Sequence, residues 1–154
     1  MMTTQSGRDF TTVTGYLSWD HDRLDGILDG VRLLVDGDRI TEARESYRGF
    51  AAGLDRHIHV EEEFLFPLFE ARSGIVDGPT AVMRQEHREI RKALGLMEDA
   101  LAKEDAQAFR EGMTFLLQVL PDHNVKEERM LYPTTDKLLG EEERNGLVRR
   151  LRGE

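Results

Sequence analysis

Apolar residues along this chain recur at steps of three and four, which is the period of an amphipathic helix rather than of a strand. Two stretches, 17–35 and 83–101, show the pattern most clearly, and each has a histidine in the middle of its apolar stripe. In two others, 50–68 and 116–130, a histidine and a glutamate occupy positions that a plain bundle would give to leucine. The pattern therefore predicts four helices, each of which carries a polar side chain into the core.

Turn-forming sequences separate the four stretches. The first break is Asp-Gly-Asp at 36–38, the second spans 73–79 and ends on a proline suited to open a helix, and the third is Lys-Glu-Asp at 103–105. Short connections favour antiparallel neighbours. The predicted fold class is therefore all-α, an antiparallel up-down-up-down four-helix bundle.

The ends of the chain and its prolines complete this picture. We expect a flexible N-terminal arm at 1–9, the bundle at 10–135 and a C-terminal tail at 136–154, where spaced leucines predict a short helix. Proline interrupts helices, so Pro67 and Pro133 are expected to end or kink the second and fourth helices. Pro121 predicts either a kink or an interruption of the fourth helix just before a histidine.

An internal repeat places most of the histidines. Segment 57–67 reappears as 123–133, with histidine, glutamate and proline at matching positions, and the same offset carries His21 onto His87. The repeat relocates candidate metal ligands rather than leucines or glycines. It therefore indicates two half-sites that meet in one centre.

The distances along the helices predict that the four histidines share one layer of the bundle. His21 and His57 both lie roughly 23 Å from the first turn, at a rise of about 1.5 Å per residue. His87 and His123 are placed in the same way about the third break. We expect one metal ion to be held by His21 with His57, and the other by His87 with His123.

Each half also supplies a carboxylate one helical turn past its second histidine, Glu61 in the first half and Glu127 in the second. The i, i+4 spacing puts each glutamate on the same helix face as its histidine. A buried carboxylate is costly without a cation, and two carboxylates can bridge two cations. The predicted metal ligands are His21, His57, Glu61, His87, His123 and Glu127.

The sequence predicts less specific roles for the neighbouring polar residues. Glu62 and Glu128 also repeat and are candidates for additional ligands, with a solvated position as the alternative. His59 faces away from His57 and is expected at the surface. Tyr132, nine residues past His123, points away from it on an ideal helix and is expected to pack in the bundle. A lone core histidine is usually just a hydrogen-bonded core residue, but four in one layer favour a metal centre.

Composition narrows the chemistry and the partners. The chain has no cysteine, so imidazole and carboxylate must hold any metal, which suits iron, manganese or zinc. The formal net charge of −9 argues against nucleic acid and anionic membranes as partners. Residues 1–10 show no secretion signal, and no apolar run is long enough to span a bilayer. We expect a cytoplasmic protein that is a monomer or a weak homo-oligomer.

The ordered set of four histidines and two glutamates resembles the hemerythrin-like (HHE cation-binding) family. The resemblance covers about residues 10–133 and implies a four-helix bundle that holds two iron ions as an oxo- or hydroxo-bridged non-heme di-iron centre. Zinc or manganese is the less favoured alternative. Roles known in the family include reversible dioxygen binding, oxygen or iron sensing, peroxide breakdown, nitric oxide handling and repair of iron centres.

Two departures from the family's oxygen carriers affect the expected function. Those carriers have a fifth histidine one turn from the third-helix ligand, where this chain has Met83 and Arg91. They also end with an aspartate five residues after the last histidine, whereas Glu127 follows His123 by four, which is more like sensor and repair members. Four histidines leave an open position on both irons, which favours turnover over reversible storage.

The sequence thus predicts a non-heme di-iron protein that reacts with dioxygen, peroxide (H2O2) or nitric oxide (NO), with peroxide detoxification as its enzymatic form. The alternative is an oxygen- or iron-binding or sensing module without turnover. A bundle that holds zinc or no metal is the third hypothesis.

Overall fold

The computed structural model describes residues 10–154, and the arm expected at 1–9 lies outside them. Every regular element in the described part of the chain is helical, and no strand occurs there, which confirms the all-α prediction. The α-helices are α1 (Val13–Asp36), α2 (Ile40–Val60), α3 (Phe66–Ser73), α4 (Pro79–Ala102), α5 (Ala106–Lys126), α6 (Tyr132–Leu138) and α7 (Glu141–Leu151).

Two wide π turns join consecutive helices into longer rods. The first, Glu61–Leu65, joins α2 to α3, and the second, Glu127–Leu131, joins α5 to α6. At each turn the backbone N–H donates five residues back, from Phe66 to the carbonyl of Glu61 and from Tyr132 to that of Glu127. The chain keeps right-handed helical dihedrals throughout, so α2–α3 and α5–α6 each form one continuous path. Such turns often mark functional sites, because they re-aim the side chains that follow.

Pro67 and Pro133 do not end their helical rods, so of the two outcomes expected for them, an end or a kink, the end does not occur. Each lies just past a π turn, where the widened hydrogen bonding has already interrupted the i→i+4 ladder, so its missing N–H removes little. Pro121 lies inside α5, which runs uninterrupted to Lys126. Of the two outcomes expected there, the interruption does not occur.

The predicted breaks are confirmed, and the internal repeat extends into them. Asp38 and Glu104 occupy matching positions of the two halves, and both have positive φ, 60° and 55°, which reverses the chain without glycine at that position. The middle break begins at Gly74, whose φ of 76° ends α3 in the left-handed region, and closes at Pro79. The turn at 103–105, which lacks glycine and proline in the sequence, thus forms through an exposed glutamate.

Apolar side chains form two clusters, one on each side of a polar layer. The larger cluster fills the bundle on the side of the α1–α2 and α4–α5 turns and includes Val31, Phe50, Met97 and Phe109. The smaller one lies at the other end, where α7 contributes Leu147, Val148 and Leu151, so the predicted C-terminal helix covers that end. The predicted metal ligands fall between the two clusters along every rod.

The start of α1 is tied to α6 through Asp136. Its carboxylate accepts hydrogen bonds from the backbone N–H groups of Val13 (2.8 Å) and Thr14 (3.0 Å), and from the Thr14 hydroxyl (2.7 Å). These backbone groups have no partner within α1, and the carboxylate also complements the positive end of the helix dipole. Among the helices of residues 10–154, none is long and apolar enough to cross a membrane.

Candidate metal centre

Six buried side chains converge between the two apolar clusters, and each is no more than 3% exposed. The ring centroids of His21 and His57 lie 4.5 Å apart, and those of His87 and His123 lie 4.8 Å apart. The structure therefore brings together all six residues that the sequence singled out, and it places the histidines in the expected pairs. Two groups of donors result, each with all its donor atoms within 4.8 Å: His21, His57, Glu61 and Glu127, and then Glu61, His87, His123 and Glu127.

Both carboxylates are shared between the groups, one oxygen to each. Glu61 places Oε2 3.2 Å from Nε2 of His57 and Oε1 3.1 Å from Nε2 of His87. Glu127, at the matching position of the internal repeat, also gives one oxygen to each group. Its Oε1 lies 3.2 Å from Nε2 of His21, and its Oε2 lies 3.2 Å from Nε2 of His123. With one oxygen in each group, each carboxylate could contact a cation in both groups.

The spacing of these atoms fits metal coordination. Donors at about 2.1 Å from an ion lie about 3.0 Å apart in octahedral and about 3.4 Å apart in tetrahedral geometry. In the second group, Nε2 of His87 is 3.1 Å from Glu61 Oε1 and 3.7 Å from Glu127 Oε2. These same three atoms are buried and have no hydrogen-bond partner within the described chain. Buried polar atoms without partners are rare and costly, so a cation accounts for them better than packing does.

Outer carboxylates contact the opposite nitrogen of each imidazole. Glu62 Oε2 lies 2.7 Å from Nδ1 of His87, and Glu128 Oε2 lies 2.6 Å from Nδ1 of His21. In this position Glu62 and Glu128 lie across the ring from Nε2, and neither belongs to a group of donors that could hold a metal. Each glutamate comes from one half of the chain and supports a histidine of the other half.

Two further outer carboxylates, Asp20 and Glu86, were missed by reasoning from the sequence. Asp20 Oδ2 lies 2.9 Å from Nδ1 of His57, and Glu86 Oε1 lies 2.8 Å from Nδ1 of His123. They occupy matching positions of the internal repeat and each precedes a predicted ligand, so the repeat carried a signal that could have found them. All four imidazoles thus pair Nδ1 with a carboxylate, which fixes the ring orientation and leaves Nε2 as the donor toward a metal.

Basic residues neutralise most of these outer carboxylates. Three of the four have a cationic partner: Arg23 on Asp20, Arg91 on Glu62 and Lys126 on Glu86. Glu128 is the exception, since it forms no ion pair with lysine or arginine within residues 10–154. The His21 imidazole therefore meets a carboxylate whose charge is not offset in this way.

The electrostatics of the layer favour positive charge at its centre. Burial alone would lower the pKa of His57 and of His87, but the surrounding carboxylates raise both to about 10. Burial would raise the pKa of Glu127, but contact with His123 holds it well below its usual range. Either protons on the imidazoles or bound cations can supply the required positive charge.

Tyr132 lies inside the centre, and the prediction that it points away was wrong. Its hydroxyl lies within hydrogen-bonding distance of Glu61 Oε2 and Glu127 Oε1, to either of which it can donate, and 3.3 Å from Nε2 of His21 and of His57. On an ideal helix, nine residues past a histidine is about 180° away, but the π turn takes up one residue and reduces this to about 80°. Burial, together with the charges of the two glutamates, raises the pKa of Tyr132 well above its usual value.

The fifth histidine, His59, lies outside the centre, as predicted. It is 63% exposed and pairs with Glu63 at 2.5 Å in the same i, i+4 spacing that relates His57 to Glu61. The two overlapping pairs differ only in the face of α2 on which they lie. Burial in the polar layer, rather than the spacing itself, therefore distinguishes the candidate ligands.

Comparison with known proteins supports the same interpretation. The family model described as the hemerythrin HHE cation binding domain matches residues 12–135. No match was found among curated proteins or solved structures. The match spans α1 through most of α6 and includes every residue of both donor groups. With most of its length matched and the two donor groups in place, the chain belongs to the hemerythrin HHE cation-binding domain family.

Proposed function

We propose that this protein holds two iron ions in a non-heme centre and reacts with dioxygen, peroxide or nitric oxide, with peroxide breakdown as its enzymatic form. The observation that carries the proposal is the pair of four-donor groups that share both carboxylates. Imidazole and carboxylate donors, without thiolate, suit iron better than soft metals. Membership in a cation-binding family supports the same interpretation.

Each residue has a separate role in this proposal. His21 and His57 would hold one ion, His87 and His123 would hold the other, and the two shared glutamates would hold both. Bound iron would supply the redox chemistry. The outer carboxylates orient the imidazoles, so we assign Glu62 and Glu128 to this supporting role rather than to the ions.

The surroundings of the centre favour small reactants. The two apolar clusters enclose the polar layer, and its six central side chains are almost fully buried. We therefore propose dioxygen, peroxide or nitric oxide as partners, rather than nucleic acid or membrane, which the net charge of −9 also disfavours. We further infer that the long rods alternate in direction, because the turns between α1 and α2 and between α4 and α5 are short.

Metal analysis of protein produced with ample iron tests the proposal directly. We expect two irons per chain, an absorption spectrum with charge-transfer bands, and release of dioxygen from peroxide. His57→Ala and His59→Ala form a matched pair, since both histidines precede a glutamate by four residues on the same helix. His57→Ala should lose iron and activity, and His59→Ala should retain both.

Two results would contradict the proposal at different levels. Iron-free protein after production with ample iron would refute the di-iron centre. A protein with two irons that forms a stable, fully reversible complex with dioxygen and leaves peroxide intact would refute turnover. That result would favour the binding module instead.

A further inference from the structure

The internal repeat fails at one position inside the centre. The histidines, the bridging glutamates and the outer carboxylates all recur with the same offset as the same residue or, for Asp20 and Glu86, as another carboxylate. Phe66 and Tyr132 also occupy matching positions, and each directly follows a π turn. One half of the centre therefore contains the phenol of Tyr132, and the other half contains the phenyl ring of Phe66 at the matching position.

The Tyr132 hydroxyl contacts the donor atoms of the first group. It is within hydrogen-bonding distance of Glu61 Oε2, Glu127 Oε1 (2.8 Å) and Nε2 of both His21 and His57 (3.3 Å each). These are the atoms through which that group would hold an ion. The side chain of Tyr132 is fully buried, so its hydroxyl faces these donor atoms rather than bulk solvent.

Phe66 occupies the equivalent position beside the second group. Its ring stacks on the imidazole of His87, with centroids 5.5 Å apart and planes inclined by 16°. The Arg84 guanidinium lies over the Phe66 ring, 5.3 Å from its centroid. Phe66 offers no oxygen. Among the six central side chains, the buried atoms without a hydrogen-bond partner are Glu61 Oε1, Glu127 Oε2 and His87 Nε2, and all three belong to this second group.

We propose that Tyr132 Oη is a ligand of the ion held by His21 and His57, and that the ion held by His87 and His123 carries the position open to an exogenous small anion. The inference rests on the proposed di-iron function and assigns different tasks to its two halves. Oxygen donors suit iron(III), and tyrosine is an established iron ligand in proteins. On coordination the O–H bond of Tyr132 breaks, an oxygen–iron bond forms, the proton passes to solvent, and no electron is transferred.

Spectroscopy of the iron-loaded protein tests the tyrosine ligand. We expect a visible phenolate-to-iron(III) band in the wild type, with tyrosinate ring modes in the resonance Raman spectrum excited within it. Tyr132→Phe should keep its iron and lose both signatures. Tyr47→Phe is the matched control, because that tyrosine is also buried but donates to the carbonyl of Leu94, away from the centre. Its spectrum should equal that of the wild type.

Azide titration tests the open position and does not depend on the folding of Tyr132→Phe. Phe66→Tyr places a second phenol beside His87 and should weaken azide binding by at least about tenfold, while iron content stays the same. Tyr132→Phe should bind azide at least as tightly as the wild type. Unchanged azide affinity in Phe66→Tyr would overturn the assignment of the open position.

The outcomes separate this inference from the function on which it rests. A wild-type protein that holds no iron refutes both. A wild-type protein with two irons but no phenolate signature refutes the tyrosine ligand alone and shows that Tyr132 only donates hydrogen bonds to the glutamates. A signature that persists in Tyr132→Phe also overturns the assignment.

Discussion

Removal of Glu127 should weaken both metal positions at once, whereas removal of His123 should weaken only one. Glu127 gives Oε1 to the first group and Oε2 to the second, and His123 gives Nε2 to the second alone. Glu127→Ala therefore takes one donor from each ion, and His123→Ala takes one donor from a single ion. The two variants differ in the number of ions affected, although both residues are buried and lie one helical turn apart.

The magnitude follows from the number of donors. The free energy of Zn²⁺ binding to four-ligand sites in zinc-finger peptides is about 10–16 kcal/mol at neutral pH. Divided equally among four donors, this is about 2.5–4 kcal/mol per donor. Each affected ion should therefore lose about 100- to 1,000-fold in affinity. Glu127→Ala should cost about 5–8 kcal/mol over the two ions. Loss of the shared negative charge also leaves the two cations to repel each other, which adds to this cost.

Isothermal titration of the metal-free protein with Zn²⁺, used as a redox-silent probe, measures both positions. We expect two tight sites in the wild type, one tight and one weakened site in His123→Ala, and two weakened sites in Glu127→Ala. His59→Ala controls for the loss of a histidine and should match the wild type. If Glu127→Ala kept either ion at wild-type affinity, the shared carboxylate would be refuted.

Three further predictions concern the surroundings of the centre. Titration should show that Glu128→Gln and Glu62→Gln each lower metal affinity by about 10- to 100-fold. The loss should be larger for Glu128, which forms no ion pair with lysine or arginine within residues 10–154, and equal losses would contradict that ranking. His57 and His87 have folded pKa values of about 10 against 6.5 unfolded. Their contribution to the stability of the metal-free protein is thus complete below about pH 6.5 and lost as pH rises through about 10. Metal must displace these protons, so the apparent Zn²⁺ affinity should rise by about tenfold per pH unit for each proton released. A Zn²⁺ affinity that does not change with pH would refute the raised histidine pKa values. Asp136→Ala removes the carboxylate that accepts from the first two N–H groups of α1 and should destabilise the protein by about 1–2 kcal/mol in thermal unfolding. An unchanged midpoint would show that this carboxylate contributes little.

Much of the fold and of the central layer could be predicted from the sequence, because both depend on periodic patterns. Burial on one helix face follows from steps of three and four, and the breaks at 36–38 and 103–105 follow from where that pattern stops. The internal repeat also indicates how far along its helix each histidine lies, so four histidines on four helices could be placed in one layer. The i, i+4 spacing then brought Glu61 and Glu127 into the same layer.

The remaining features depend on local geometry that helical periodicity does not encode. Tyr132 was assigned to the wrong face because a π turn changes the angle between successive side chains, and no residue type marks that turn unambiguously. Asp20 and Glu86 look like ordinary solvated acids within their own helices. Only the internal repeat distinguishes them in the sequence, and their contacts form when a second helix brings an imidazole beside them. The helical rods accommodate Pro67 and Pro133 because the π turns alter the backbone hydrogen bonding just before them. The second of these π turns directs Tyr132 inward.

The sharing of Glu127 by both groups has a consequence for the order of biosynthesis. A nascent chain that ends before residue 127 lacks one of the four donors of each group. It also lacks Glu128, the carboxylate that contacts Nδ1 of His21. In the proposed centre, metal capture would therefore accompany closure of the whole bundle rather than folding of its first hairpin. A truncated or incompletely folded chain would therefore lack a complete set of donors in both groups.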